Sequence, residues 1–299
     1  MNAITTDVRE QLAKASQTHL LQFWNELSVS EQTLLLYQIR HTDLKVLSQI
    51  WTSSTNEESP LDATARIANA GIPGTVVRQP QTAADSGHWK LATQLGENEL
   101  QAGTVAVITV AGGQGSRLGF DHPKGMFPIG PKTNRTLFQI FAEQILARRQ
   151  RHHTTIPWLI MTSDATHAET LEFLQKHNYF DIDHNTVHLF QQGSLPALDA
   201  ATGRILMASR SQLALSPDGH GGLVAAMANS GLLDLLQQHG IRHLFYHQID
   251  NPTAILCDPA LIGFHTQQRS QLTTNVVRKA DPSERMGVLV DINGRTEIV

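Results

Sequence analysis

Glycines and cations are clustered between residues 110 and 125. The stretch Val110–Gly119 contains VAGGQGSRLG directly after an apolar run, and Lys124 follows within HPKG. Clustered glycines after a strand let backbone N–H groups approach a ligand closely, because no Cβ intervenes. Arg117 and Lys124 would bring positive charge to a polyphosphate whose charge rises during transfer. This pattern predicts a phosphate-binding loop, with a tight structural turn beside two solvated cations as the alternative.

The spacing within this loop differs from two common nucleotide motifs. Gly113, Gly115 and Gly119 are spaced too widely for the dinucleotide fingerprint, and no Gly-Lys-Ser/Thr closes a P-loop. An NAD(P)-dependent oxidoreductase would also need an acidic residue about twenty positions after the loop, at the end of the second strand. The predicted second strand ends near Ser163, and Asp164 lies far beyond that spacing. The oxidoreductase is therefore the weaker alternative among enzymes.

Three more polar residues stand at predicted element ends. Asp250 ends an apolar strand, where a carboxylate suits Mg²⁺, although a residue that begins a turn is the alternative. Gln192 ends another strand, and its amide offers a donor and an acceptor, either to a nucleobase edge or to nearby backbone. Asp218 precedes a second glycine cluster at a helix start, which predicts a helix cap rather than a ligand.

Alternating strands and helices would position these residues. Apolar runs predict strands at 105–111, 157–162, 187–190 and 243–249. Helical periodicity is found at 134–150, 166–177, 222–239 and 259–268. Extended segments are predicted at 272–279, 287–292 and 296–299, with Asn293-Gly294 as a hairpin signal. This alternation predicts an α/β fold with a mostly parallel central sheet.

The N-terminal part has a helical pattern. Apolar residues from Thr6 to Trp51 recur at spacings of three and four. Ser28 or Ser30, with Glu31 nearby, is typical of a helix start. Polar stretches with Gly, Pro, Ser and Thr predict connections at 52–60 and 71–87. We interpret the chain as an N-terminal helical segment and a nucleotide-binding core, with bounds 1–100 and 101–299.

The composition narrows the class of protein. The chain has 299 residues, a formal net charge of −4 and 17% charged residues, which favours neither nucleic-acid nor membrane-surface binding. No apolar run approaches the ~20 residues of a membrane span, and the polar N-terminus lacks a signal-peptide core. The single cysteine, Cys257, excludes an internal disulfide and favours a cytoplasmic location. The 15 histidines are scattered, so no zinc site is expected, and nothing indicates an oligomeric state.

The stretch AGGQGSRLGFDHPKGMFPIG resembles the signature of the UDP-sugar pyrophosphorylases, which include the UDP-N-acetylhexosamine and UDP-glucose enzymes. The resemblance continues through MTSDATHAETLEFLQKHNYF, FQQGSLPA, SPDGHGGL and HQIDNP, in the family's order, to the last residue. Members of the family continue past the position that matches Val299. The resemblance therefore predicts a core that is incomplete at its C-terminal end.

The resemblance implies a Rossmann-like nucleotidyltransferase fold and an enzyme that forms a UDP-sugar and pyrophosphate from UTP and a sugar 1-phosphate, with Mg²⁺. Arg117 and Lys124 would be catalytic, Asp250 would bind the metal and His220 the sugar. The residues implied in nucleotide binding are Val110, Ala111, Gly112, Gly113, Gln192 and Gly219.

The identity of the sugar depends on His220. Eukaryotic N-acetylhexosamine enzymes usually carry asparagine at the matching position, whereas UDP-glucose enzymes often carry Gly-His-Gly. The surrounding FQQGSLPA and DGxGG are similar to the N-acetylhexosamine branch. We expect N-acetylglucosamine 1-phosphate as the acceptor, with glucose 1-phosphate as the alternative. A nucleotide-binding relative without turnover is the alternative from another class of protein.

Overall fold

A computed structural model describes residues 6–55, 68–74 and 76–299. The chain forms two compact units. The helical unit comprises residues 1–77, 194–216 and 278–299, and the sheet unit comprises 78–193 and 217–277. The division near residue 100, between an N-terminal segment and a core, stays a prediction.

The element bounds in the described residues are as follows. The α-helices are α1 (Thr6–Lys14), α2 (Val29–Arg40), α3 (Leu44–Thr55), α4 (Ala83–Gln101), α5 (Leu137–His152), α6 (Asp164–Lys176), α7 (Leu223–Asn229), α8 (Leu232–Gln238) and α9 (Pro259–Gln268). The strands are β1 (Val105–Val110), β2 (Trp158–Thr162), β3 (Val187–Gln191), β4 (Ser194–Pro196), β5 (Met207–Ser209), β6 (Gln212–Leu213), β7 (Leu215–Pro217), β8 (His243–Gln248), β9 (Leu289–Ile292) and β10 (Arg295–Ile298). None of the described helices is long and apolar enough to cross a membrane.

The sheet unit contains a four-stranded sheet in the order β3-β2-β1-β8. Its neighbouring strands are all parallel, with Val107 opposite Trp158 and Val105 opposite His243. The predicted α/β fold with a mostly parallel sheet is confirmed. Since parallel strands share one direction, their carboxyl ends lie together at one edge of the sheet.

A set of polar side chains lies inside this sheet. Trp158 Nε1 donates to Thr109 Oγ1 at 2.7 Å, and Thr109 Oγ1 lies 2.7 Å from His247 Nε2. Burial lowers the pKa of His247 to about 4, so the imidazole is neutral. Nδ1 lies 3.2 Å from the Gln248 carbonyl, so a proton on Nδ1 leaves Nε2 to accept from Thr109. We call Thr109, Trp158 and His247 the interior triad.

The helical unit takes its polar partners from distant parts of the chain. Gln17 Nε2 donates to the Gly203 carbonyl at 3.0 Å, and Gln17 Oε1 accepts from Ile205 N at 2.8 Å. Gln38 Oε1 accepts from Leu213 N at 3.0 Å. Backbone groups between residues 203 and 213 therefore bond the side chains of Gln17, just before a 3-10 turn, and of Gln38 in α2.

Several helix bounds differ from the predictions. Helix α3 extends to Thr55 into the predicted connection 52–60, of which 56–60 lie outside the described residues. Helix α4 begins inside the predicted connection 71–87, because Thr82 and Asp85 form a capping box. The single helix predicted at 222–239 is divided into α7 and α8, because Gly231 has a φ of +72°.

The extended elements agree in part. The segment 272–279, predicted to be extended, forms no strand in the structure. The Asn293-Gly294 hairpin is confirmed: β9 and β10 pair antiparallel across it, and both turn residues have positive φ. Ser28 is the residue that caps α2, with Glu31 completing the capping box.

Candidate active site

The carboxyl edge of the sheet collects most of the predicted site residues. Gln192 follows β3, Ser163 follows β2, the glycine loop follows β1 and Asp250 follows β8 by two residues. With the strand order β3-β2-β1-β8, the glycine loop lies between the Gln192 and Asp250 positions. In open parallel sheets this edge is where ligands bind.

The glycine loop is held by backbone hydrogen bonds to the segment that follows it. Lys124 N donates to the Gly113 carbonyl at 3.0 Å, and Gly115 N donates to the His122 carbonyl at 2.8 Å. His122 also pairs with the Glu169 carboxylate on α6. The loop and the segment that carries Lys124 therefore form one unit, a link that the sequence pattern did not indicate.

Lys124 is directed across the loop to Asp250. A Cβ at Gly125 would lie 2.1 Å from the buried ring of Phe138, so this position requires glycine. The close approach to Phe138 fixes the position of the backbone next to Lys124. The Lys124 side chain passes Gly113, where an added Cβ would lie 3.5 Å from its Cδ. Lys124 Nζ donates to Asp250 Oδ2 at 2.8 Å. Two predicted residues that are far apart in the chain are thus in direct contact.

Arg117 lies elsewhere on the loop. It belongs to a short 3-10 turn, Ser116–Leu118, and is exposed. In the described ranges, no hydrogen bond or ion pair involves its guanidinium, whereas the Lys124 side chain is only 23% exposed and is paired. Of the two predicted catalytic cations, only Lys124 is held in a defined direction.

Gln192 lies over the start of the glycine loop. Its backbone N donates to the Thr162 carbonyl at 2.8 Å, and its Nε2 would lie 3.0 Å from a Cβ at Gly112. Ser163 Oγ donates to the Gly112 carbonyl at 2.8 Å, a contact that the sequence reasoning missed. The amide of Gln192 and the backbone of Gly112 are therefore adjacent, and the nucleotide-binding role of Gln192 stays a prediction.

Val110 and Ala111 are embedded in the sheet edge. Val110 is paired with Met161 on β2 and with Gln248 on β8. Ala111 is fully buried, and its N–H donates to the Met161 carbonyl at 2.7 Å. Gly112 and Gly113, by contrast, are partly exposed or exposed. The nucleotide-binding role of these four residues stays a prediction.

Asp218 is not the helix cap that the sequence predicts. It precedes the short 3-10 turn Gly219–Gly222, but its side chain makes no cap hydrogen bond. A Cβ added at Gly193 would lie 2.4 Å from Asp218 Oδ2, and one added at Gly222 would lie 1.9 Å from it. Asp218 Oδ1 is buried without a hydrogen-bond partner in the described residues. Burial raises the pKa of Asp218. The carboxyl group is therefore packed between the turn after Gln192 and the turn before α7.

His220 is held by a residue that the sequence reasoning missed. The hydroxyl of Tyr246 is hydrogen-bonded to His220 Nδ1, and the ring centroids lie 6.0 Å apart at an interplanar angle of 72°. Tyr246 and Gln248 are exposed on the same face of β8 because side chains alternate along a strand. The alternation of side chains along β8 could have indicated that Tyr246 lies on the exposed face. No local pattern in the sequence indicates its contact with His220.

The oxygen atoms of Asp250 suit a hard cation. The lysine ammonium at 2.8 Å stands in for such a cation, and the carboxylate is 43% exposed. No group of three or more His, Cys, Asp or Glu side chains that could hold a metal is found in the described part of the chain. Mg²⁺ usually takes only one or two carboxylates together with substrate phosphates. The donor set therefore fits a metal that arrives with a polyphosphate.

Comparison with known proteins identifies the family of the chain. Residues 68–299 match the family described as UTP–glucose-1-phosphate uridylyltransferase. The chain belongs to this family. Its four-stranded parallel sheet and helices form the nucleotidyltransferase-like fold of UDP-sugar pyrophosphorylases.

Three similar proteins have names from the UDP-N-acetylhexosamine branch of the family. The chain is 34% identical over 97% of its length to a probable UDP-N-acetylglucosamine pyrophosphorylase of Schizosaccharomyces pombe. It is 32% identical over 98% of its length to UDP-N-acetylhexosamine pyrophosphorylase-like protein 1 of Mus musculus. A crystal structure of the UDP-N-acetylglucosamine pyrophosphorylase of Trypanosoma brucei, in complex with an inhibitor, covers 100% of the chain with a TM-score of 0.83 and 27% identity.

The chain is shorter than these relatives. It spans 59% of the mouse protein, 62% of the S. pombe protein and 62% of the T. brucei chain.

Proposed function

We propose that the protein is a uridylyltransferase that forms UDP-N-acetylglucosamine and pyrophosphate from UTP and N-acetylglucosamine 1-phosphate. The observation that carries the proposal is the contact of Lys124 Nζ with Asp250 across Gly113, at the carboxyl edge of a parallel sheet. A cation and a metal-binding carboxylate beside a glycine loop suit a triphosphate. Family membership and the names of the relatives support the same reaction.

The reaction needs no covalent intermediate on the protein. An oxygen of the sugar phosphate attacks the α-phosphorus of UTP, a new P–O bond forms, and the bond to the leaving pyrophosphate breaks. The protein contributes mainly positioning and stabilisation of charge. Gln192 would pair with the uracil edge, because an amide matches its adjacent carbonyl and N–H. Lys124 would neutralise charge on the phosphates, and Arg117, which is exposed on the same loop, would join it.

Asp250 would bind Mg²⁺ in this reaction. When bound, the metal neutralises charge on the phosphate oxygens. Asp250 now holds the ammonium of Lys124 at 2.8 Å, so this ion pair must open before both residues can act on the nucleotide. Lys124, once released from Asp250, then donates its hydrogen bonds to phosphate oxygens.

The names of the relatives favour an N-acetylhexosamine 1-phosphate as the acceptor substrate. The S. pombe and T. brucei proteins carry UDP-N-acetylglucosamine in their names. His220, within Gly-His-Gly, is the feature that favours glucose 1-phosphate instead. We place the reaction in the cytoplasm because the single cysteine, Cys257, is buried and unpaired.

Two measurements test the proposal. In calorimetric titrations, UTP should bind more tightly than ATP or NAD, and tighter binding of NAD would overturn the nucleotide assignment. Pyrophosphate release from UTP should then be highest with N-acetylglucosamine 1-phosphate in a panel that includes glucose 1-phosphate. Binding of UTP without release from any sugar phosphate would identify a nucleotide-binding relative without turnover.

A further inference from the structure

We propose that Tyr246 is a positioning residue that fixes the ring of His220, so that His220 Nε2–H donates a hydrogen bond to an oxygen of the acceptor sugar. This inference rests on the proposed function, and it adds a specificity-determining pair to it. Tyr246 does not touch the ligand and acts through His220.

The first support is the contact itself. Tyr246 Oη bonds His220 Nδ1, and the two rings are nearly perpendicular, so the imidazole is held at one nitrogen while its other edge is free. Among the described residues, no side chain or backbone group is hydrogen-bonded to His220 Nε2, and His220 is exposed. The pair therefore presents one ring nitrogen to a ligand.

The second support is the placement of protons. Partial burial raises the pKa of the Tyr246 phenol, so its hydroxyl keeps its proton at neutral pH. A phenol hydroxyl is a good donor, and the unprotonated nitrogen of a neutral imidazole is a good acceptor. A bond from Oη–H to Nδ1 leaves the ring proton on Nε2, because the bond made by one nitrogen sets the state of the other. His220 is then a donor, which suits hydroxyl or N-acetyl oxygens of a sugar.

The third support is the position along β8. Tyr246 and Gln248 are exposed on one face of the strand, and Asp250 follows two residues after the strand ends. Tyr246, which holds His220, lies in β8, and Asp250, the carboxylate beside the glycine loop, follows the same strand. The sugar group at Nε2 and the phosphates at Asp250 would lie along the same strand. An acceptor sugar phosphate has this order of groups.

The test measures the sugar contribution to binding. UDP, UDP-N-acetylglucosamine and UDP-glucose are titrated into the wild type, Tyr246→Phe, His220→Ala and the double variant. Loss of one positioning hydrogen bond should weaken binding of the preferred UDP-sugar by roughly fivefold, the scale of one net hydrogen bond. Binding of UDP should not change. In the His220→Ala background, Tyr246→Phe should have no further effect.

Tyr37→Phe is the matched control. Tyr37 also lies beside a histidine, His41, with ring centroids 4.0 Å apart, but in the helical unit. Removal of its hydroxyl should leave all three affinities unchanged. A second readout needs no variant: in ¹⁵N spectra of labelled histidines, His220 should have an unprotonated Nδ1 and a protonated Nε2. Tyr246→Phe should shift this pattern toward a mixture of tautomers.

The outcomes separate the two proposals. Equal losses for UDP and UDP-sugar in Tyr246→Phe, a UDP-sugar that binds no more tightly than UDP, or a protonated Nδ1 in the wild type would each overturn the positioning role. Failure of UDP and UTP to bind would overturn the proposed function, while the ¹⁵N spectra would still decide whether Tyr246 fixes the tautomer of His220.

Discussion

The interior triad and the carboxyl edge of the sheet are built on the same strands, since β1 and β8 pass through both. In the interior, Thr109 and His247 complete their hydrogen bonds with each other and with Trp158. At the edge, Lys124 Nζ and Asp250 Oδ2 form an ion pair that is 23% and 43% exposed. The interior partners are fixed by burial, whereas a ligand can replace the edge partners.

The free-energy cost of losing a hydrogen-bond or ion-pair partner explains this difference. A buried polar group that loses its partner costs about 1–3 kcal/mol, so a satisfied buried network resists change. An exposed ion pair contributes about 0–1 kcal/mol, so it can open when a ligand offers better contacts. Changes at the edge should therefore alter chemistry, and changes in the interior should alter stability.

Replacement of Lys124 by alanine should have the largest effect on turnover. A positioned charge-stabilising group is worth roughly a hundredfold to a thousandfold in rate, whereas a surface substitution changes stability by no more than about 0.5 kcal/mol. Pyrophosphate release and urea unfolding measure the two quantities. Lys132→Ala, an exposed lysine of the same region, is the control and should change neither. Near-normal kcat/KM in Lys124→Ala would contradict a role at the edge.

The interior should show its effect in the pH dependence of stability. The pKa of His247 is lowered by burial from 6.5 to about 4, so the unfolded chain binds more protons between these values. The stabilisation is complete above about pH 6.5 and is lost as the pH falls toward 4, by about 3 kcal/mol in total. His247→Gln should flatten this slope in urea unfolding, while other histidines contribute equally to both proteins. Parallel slopes would show that the pKa of His247 is the same in the folded and the unfolded chain.

Replacement of Asp250 by asparagine should raise the Mg²⁺ concentration needed for half-maximal rate. The expected increase is roughly tenfold, the lower end of the losses seen around metal sites. UTP affinity measured without metal should change little, since Gln192 and the glycine loop remain. Asp234→Asn, an exposed carboxylate on α8, is the control. Superimposable magnesium curves would make Asp250 a turn residue, for which asparagine serves as well as aspartate.

Local pattern predicts the sheet better than the helices. The strands 105–111, 157–162, 187–190 and 243–249 are all found, because continuous apolar runs are needed inside a parallel sheet. Helix bounds depend on caps and single backbone angles, such as the capping box at Thr82 or the positive φ of Gly231. The segment 272–279 has strand-like composition, but in the structure it pairs with no described strand.

The sequence predicts which residue types belong to the site, but it does not predict which of them are in contact. The glycine loop, Lys124 and Asp250 stand out by residue type, but their contact joins positions 126 residues apart. Asp218 has the position of a cap, yet close approach to Gly193 and Gly222 holds its carboxyl group instead. Tyr246 stands in an ordinary strand, and only the fold brings it to His220.

The hydrogen bonds of Gln17 bear on the order in which the chain folds during synthesis. Its partners, Gly203 and Ile205, are 186 and 188 residues further along the chain. Contacts of such long sequence separation form late, because the intervening chain must first be closed into a loop. Gln17 leaves the ribosome long before residue 205, yet its buried amide obtains its partners only after residue 205 has emerged. The hydrogen bonds of Gln17 are therefore among the last in the helical unit to be completed.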